Sequence, residues 1–266
     1  MATAKKVATN AKKEVAVADI FEQNAGRRFD IDQDDKSIPF IKVLTAEMAD
    51  DYDAKGGDIL HTSTGQIYKG SEGIYVIPIA YERVFIHWQD RQLSDTKAPV
   101  RIYKKNERLP ETFRSEDPSD FKDYISGGQK KDYLEDTRQW YVMVYDEENG
   151  CNAGMIAMKS TQLKKSKAWM DLCESRRKKT ANGKLYAAPY WSHLYCLKTK
   201  QVTREPNQRW YEWLPALHRA MSDEGTDLPI IEECIHYENM FFEGQIEVKY
   251  EEENDGELVE DAGPGF

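Results

Sequence analysis

The sequence predicts a mainly β fold with flanking helices, built as a small closed or partly open barrel with a long insertion and disordered termini. Three observations predict it. Short apolar segments bounded by Gly, Pro and Asn-Gly turns recur along the chain, as strands do. One of them, Ile74 to Trp88, is long enough to bend and be shared between two half-sheets, the usual start of a small barrel. The two long helical patterns stand after Ser160 and near Leu228, so helices flank a β-rich body.

Taken in order, residues 1–36 mix Ala with Lys around a weakly apolar patch, Val15 to Phe21, and read as a flexible arm. Ser37 to Leu44 (SIPFIKVL) opens a folded body expected to run to residue 250. Short strands are expected at Asp58 to Leu60 and Gln66 to Lys69. Ile74 to Tyr81 is apolar without alternation, which suggests burial on both faces, and Pro78 within it marks a bulge or bend. Residues 95–138 are polar and broken by Pro99, Pro110, Pro118 and Gly127-Gly128, so they read as an insertion between barrel strands carrying short helices. Trp140 to Tyr145 (WYVMVY) should pair with Gly154 to Met158 across a turn at Glu148-Asn149-Gly150.

Ser160 or Thr161 is expected to cap a helix running to about Lys179, with Leu163, Trp169, Met170 and Cys173 as its core stripe. After an Asn182-Gly183 turn, Tyr190 to Thr199 and Gln208 to Leu214 read as a hairpin. Alternation puts Arg209, Tyr211 and Trp213 on one face of its second strand, and Trp210, Glu212 and Leu214 on the other. The Arg209 face is taken as the outer one, because an acid repels phosphate. A helix from about Leu228 to Phe242, packing through Ile231, Ile235 and Phe242, and a strand at Gln245 to Tyr250 complete the body.

Charge is segregated. The chain carries a net −10, yet residues 159–204 sum to +10 and 205–266 to −14. Aromatic rings are threaded through the basic stretch, and cations beside flat rings suit a single-stranded nucleic acid, since charge tracks the backbone and rings stack on bases. The candidate cations are Lys164, Lys165, Lys167, Arg176, Arg177, Lys178, Lys179, Lys198, Lys200, Arg204 and Arg209. Trp191, His193, Tyr195, Tyr211 and Trp213 are the candidate stacking side chains. Taken singly, such a cation is more often a solvated surface group and such a ring more often core. Their concentration is what points to nucleic acid.

From Glu251 the chain reads EEENDGELVEDAGPGF, seven acids without a base, too polar to offset its ordering entropy. It reads as a disordered acidic tail, with Glu260, Asp261 and Phe266 as a partner-binding end. Cys151, Cys173, Cys196 and Cys234 lie too far apart for a zinc motif and read as free thiols in a reducing cytoplasm. No metal or other cofactor is expected, and no signal peptide or membrane span. Glycine-rich phosphate loops and hydrolase or zinc-protease motifs are missing, which favours a non-enzymatic protein. Glu247-Val248-Lys249 is the one trace of a metal-dependent nuclease.

A β-rich body with a basic aromatic hairpin and an acidic tail closed by Phe266 resembles bacteriophage single-stranded DNA-binding proteins. SIPFIKVL, GDILHTSTGQIYKGSEGIYVIPIAYERVFIHW and STQLKKSKAWMDL are also similar to phage replication-region proteins, over about two-thirds of the chain. The resemblance implies an OB-fold barrel coating single-stranded DNA in replication or recombination, in the cytoplasm of an infected bacterium. It also implies recruitment of phage or host replication and recombination proteins through the tail. The last residues are Gly-Pro-Gly-Phe, where bacterial tails of this kind end in Pro-Phe, so a host partner reading Pro-Phe is not assured. The rival expectation is a protein-interaction or virion-associated factor whose basic segment meets an acidic partner.

Overall fold

The computed structural model describes residues 38–89, 98–116, 122–127, 131–146, 150–205, 208–246, 248 and 250, without the side chains of 204, 205 and 208. The expected arm, tail and nuclease pair Glu247 and Lys249 lie outside the described residues. All described residues belong to one compact unit, Ser37–Phe266.

Two long strands carry the fold. β4 (Ile74–Trp88) and β8 (Tyr133–Asp146) pair antiparallel along almost their whole length. Val76 to Ala80 are buried one after another, which explains why the apolar run does not alternate. The register shifts between Pro78 and Ala80, so the bulge stands where proline, lacking an N–H, interrupts the ladder.

At the Ile74 end, β12 (His193–Glu205) pairs with β4 and β13 (Gln208–Ala220) with β12. On the other side β9 (Gly150–Lys159) pairs with β8, giving the order β9-β8-β4-β12-β13. At the Trp88 end, β5 (Arg101–Lys104) joins β4, while β7 (Asp123–Ile125) joins β8 and carries β6 (Thr112–Arg114) outside it. The stretch 95–138 therefore forms strands rather than short helices where it is described, and its end from Tyr133 belongs to β8. Its polarity follows from its place at the rim, where β6 is exposed throughout and no core imposes a pattern.

A small sheet of β1 (Ile41–Val43), β2 (Ile59–His61) and β3 (Ile67–Tyr68), with α1 (Ala46–Asp50) between its first two strands, leans on the large one. Phe40 bridges Met155 of β9, and the Thr199 N–H of β12 donates to the Gly70 carbonyl at 2.9 Å. The closed barrel is not drawn by strand pairing among the described residues, since β9 and β13 do not pair. The Gln162 side chain, in the 3-10 turn Ser160–Gln162 after β9, spans that gap instead. Its amide donates to the Tyr211 carbonyl at 2.6 Å and its oxygen accepts the Trp213 N–H at 3.2 Å.

α2 (Leu163–Glu174) packs over one face of the sheet, where Trp169 stacks on Trp140 at 4.1 Å. The Trp140 indole donates to Ser166 Oγ at 2.8 Å, fixing the helix on the strand. α2 ends at Glu174 rather than Lys179, because beyond Cys173 no apolar residue continues its stripe. Arg177–Lys179 forms β10 instead, paired with β11 (Leu185–Ala187) across Asn182-Gly183, with Gly183 at φ +77°.

α3 (Asp227–Phe242) covers the opposite face, over Ile77, Ile79, Tyr141 and Met143. It buries Ile231 and Cys234, whereas Ile235 is 37% exposed and Phe242 74%, so two of the three expected packing residues face outward. The helix is rolled by its entry. Asp227 accepts two N–H groups of Arg219, at 2.6 and 2.8 Å, and the Ser222 N–H at 2.9 Å. No strand forms at the described residues of 245–250. Ile246 and Val248 pack on the same core, and the Tyr250 hydroxyl accepts the Gln139 amide at 2.6 Å. No helix among the described residues is long and apolar enough to cross a membrane.

Candidate nucleic-acid interface

The register of the β12-β13 hairpin decides which side chains meet solvent. Thr199 stands opposite Trp213 and Gln201 opposite Tyr211, so the odd-numbered positions of both strands share one face. Around Tyr195, Leu197 and Trp213 that face turns inward, while toward the hairpin tip Gln201, Thr203 and Arg209 stay exposed. Tyr195 and Trp213 are buried in the core with Trp169 and Leu197, and neither ring has a face left for a base. This corrects the outward assignment of the Arg209 face, which rested on keeping Glu212 from phosphate. Glu212 is instead ion-paired with Lys165 at 2.8 Å and accepts the Trp210 indole N–H at 3.1 Å.

Tyr211 is half-buried over Gly57, where φ is +94° and a Cβ would sit 2.6 Å from its ring carbons. His193 is buried too, and burial, then the charges of Arg176 and Lys178, hold its pKa below the ordinary 6.5. Trp191 lies in a 3-10 turn, Tyr190–Ser192, rather than in a strand, and its indole donates to Glu238 of α3 at 3.1 Å. All five expected stacking side chains are thus at least half-buried.

The cations divide in the same way. Lys165 is committed to Glu212, Arg176 folds back onto the Leu172 carbonyl at 3.1 Å, and Lys178 reaches the Met221 carbonyl at 3.4 Å. Lys164, Lys167, Arg177, Lys179, Lys198, Lys200 and Arg209 are exposed. Lys198 and Lys200 stand on the outer face of β12, opposite Leu214 and Glu212. The Arg204 side chain is outside the described residues.

Two groupings emerge. The β10-β11 hairpin presents Arg177, Lys179 and Lys184 together with Leu185, 59% exposed, and Tyr186, 42% exposed. From Ser175 to Arg204 the sequence has no acid to neutralise it. Tyr186 lies in the basic stretch but is not singled out by the strand alternation used for the other rings. The Asn-Gly turn flanked by Lys179 and Leu185 was the signal for it. The second grouping is an open cleft of about 380 Å³ lined by Tyr81, Arg138, Leu163, Lys164, Ser166, Lys167 and Met170. Beside it Arg83 and Arg138 face each other across β4 and β8 and share Asp136, which accepts from Arg83 at 2.8 and 3.1 Å and from Arg138 at 3.2 Å. Tyr81, Arg83 and Arg138 escape sequence reasoning because they are distant from the basic stretch in the chain.

Among the described residues no three His, Cys, Asp or Glu side chains gather as a metal site requires. Residues 9–226 match a family model described as Pam3 phage gp34-like protein. No curated protein and no solved structure matches the chain.

Proposed function

The chain belongs to the Pam3 phage gp34-like protein family, and from that premise we propose that it is a non-enzymatic phage protein that binds single-stranded DNA during replication or recombination. The observation that carries the reading is the β10-β11 hairpin, where exposed cations flank an exposed tyrosine in an acid-free run. The order β9-β8-β4-β12-β13, with α2 between its third and fourth strands in the chain, supports it further. A five-stranded, partly open barrel of the OB type has that connectivity and is a common carrier of single strands. Lys198 and Lys200 on the outer face of β12 extend the basic surface, Arg209 adds an exposed cation near the hairpin tip on the other face, and the acidic tail with Glu260, Asp261 and Phe266 recruits replication or recombination proteins.

Fluorescence anisotropy with oligo-dT, a duplex of equal length and single-stranded RNA tests the reading. Oligo-dT should bind best, and log affinity should fall against log salt by about 0.7 per phosphate contact. Tyr186→Ala should weaken binding by about 1–3 kcal/mol with the melting temperature unchanged. Binding without salt dependence, or a Tyr186→Ala protein indistinguishable from wild type, overturns it.

One observation favours a protein-docking phage factor instead. Leu228, Ile235 and Phe242 are exposed at intervals of seven along α3, an apolar line on a helix surface. Wild-type oligo-dT binding that survives Ile235→Glu and Phe242→Glu separates the two roles.

A further inference from the structure

We infer that the cleft between α2 and the β4-β8 pair is a nucleotide-phosphate site. It takes one nucleotide, whose phosphate meets Lys164, Lys167 and Arg138 and whose base lies against Tyr81 and Met170. At about 380 Å³ the cleft stands at the small end of the roughly 300–1,000 Å³ of sites that hold a small organic ligand. It has room for one nucleotide.

Its charge is unbalanced. Among the described residues Lys164 and Lys167 have no ion-pair partner, while Lys165 between them is taken by Glu212. Asp136 is the one acid held by Arg83 and Arg138, so the rear of the cleft is also net positive. Three lysines within the first turns of α2, with no acid in its first turn, stand at the positive end of the helix dipole, where cations raise the energy of the fold. An anion in the cleft offsets that repulsion.

The walls are fixed before any ligand arrives. Arg138 is held by Asp136, Ser166 by the Trp140 indole, and Tyr81 packs edge-on against Trp140 at 5.0 Å. α2 brings Lys164, Lys167 and Met170 and the strands bring Tyr81 and Arg138, so each wall offers a cation for the phosphate and an apolar group for the base. The same chemistry serves a free nucleotide and the phosphorylated end of a strand.

The test uses the full chain and dTMP. In calorimetry at low salt dTMP should bind, thymidine should not, and inorganic phosphate should bind more weakly than dTMP. The double variant Lys164→Gln, Lys167→Gln should lose about tenfold in dTMP affinity, glutamine being a helix former comparable to lysine. Oligo-dT carrying a 5′-phosphate, a 3′-phosphate or neither then separates the sources. A preference for one phosphorylated end that the double variant loses assigns the cleft to a strand terminus. Loss of dTMP binding with no end preference assigns it to a free nucleotide. The site rests on the single-strand reading only in the choice of ligand, and the hairpin variant Lys179→Gln, Lys184→Gln keeps the two apart. That variant should weaken all oligonucleotides and leave dTMP affinity intact. Absent dTMP binding, or equal affinity in wild type and the cleft variant, overturns the site. Equal affinity for dTMP and inorganic phosphate overturns the seat for the base.

Discussion

Tyr195 Oη and Trp169 Nε1 are buried without a hydrogen-bond partner, an unusual condition in a core. The Cys173 thiol interacts with the tyrosine but offers only a weak donor, and burial pushes it up to about 11, so it stays protonated at neutral pH. Removing the orphaned hydroxyl should therefore cost nothing. Tyr195→Phe is expected to leave the melting temperature unchanged or raise it, while Tyr195→Ala should lose about 3–5 kcal/mol of stability through the cavity it opens. Urea unfolding of the two variants measures this, and oligo-dT affinity of the folded protein should be unaltered in Tyr195→Phe. His61 and His193 act on stability through their charge. Burial is the main cause that lowers both below the ordinary 6.5, so as pH falls through that value the unfolded chain takes up protons and the fold does not. Stability should decline below about pH 6.5, and His193→Gln should flatten that part of the melting curve against pH. Asp227 is depressed by its hydrogen bonds to Arg219, so its contribution is present above the unfolded value of 3.8 and is lost only at lower pH.

Among the elements, the β10-β11 hairpin and α3 make opposite demands on sequence. The hairpin is held by its turn, where the Thr180 N–H donates to the Lys184 carbonyl at 2.9 Å and Gly183 occupies a φ that L side chains rarely adopt. Gly183→Val should strain the turn by about 1–2 kcal/mol. Since nothing lies within 4 Å of that glycine, the loss should be local: weaker oligo-dT binding at an unchanged global melting temperature. α3 is held by packing, and its two isoleucines should differ. Ile231→Ala should cost about 2–5 kcal/mol, and Ile235→Ala well under 1, as expected for a buried and a surface position. Denaturation midpoints of the pair decide whether the helix is rolled as described. Gln162 joins two elements at once, and Gln162→Ala would leave the Tyr211 carbonyl and Trp213 N–H without it, at about 1–3 kcal/mol.

At the scale of the whole molecule, a chain of net −10 approaches a polyanion only if its charges are kept apart, as +10 over 159–204 and −14 beyond suggest. The tail from Glu251 to Phe266 brings seven acids on the same chain as the basic surface, where a tether sets effective concentrations near the millimolar range. Deleting 251–266 is expected to tighten oligo-dT binding, most at low salt, because screening weakens the competition as the Debye length shrinks. Equal affinities of the full and shortened chains at low and high salt would assign the tail no such role.

Local patterns were enough wherever one element settles its own form. Ile74–Trp88 reads as one strand because it is rich in β-branched and aromatic residues and follows a turn signal at Gly73, and Pro78 marks its bulge because proline cannot donate to a ladder. The β8-β9 hairpin and α3 were equally legible from turn residues and periodicity. Faces were not. Alternation in Gln208–Leu214 divides Trp213 from Glu212 but does not say which side is solvent, and α2 docking on the Trp213 side made that side core. Nor could spacing place Arg138 beside Lys164 and Lys167, since β8 and α2 meet through the Trp140–Trp169 stack. The long strands, the Asn182-Gly183 turn and the separation of charge were legible because each depends on residues near one another in the chain, whereas the short strands of 101–125, the β10 strand and the lack of a strand at the described residues of 245–250 were not. Tertiary structure alone decided which rings are core and which cations share a cleft, because burial is settled by what packs against a face and not by the face itself.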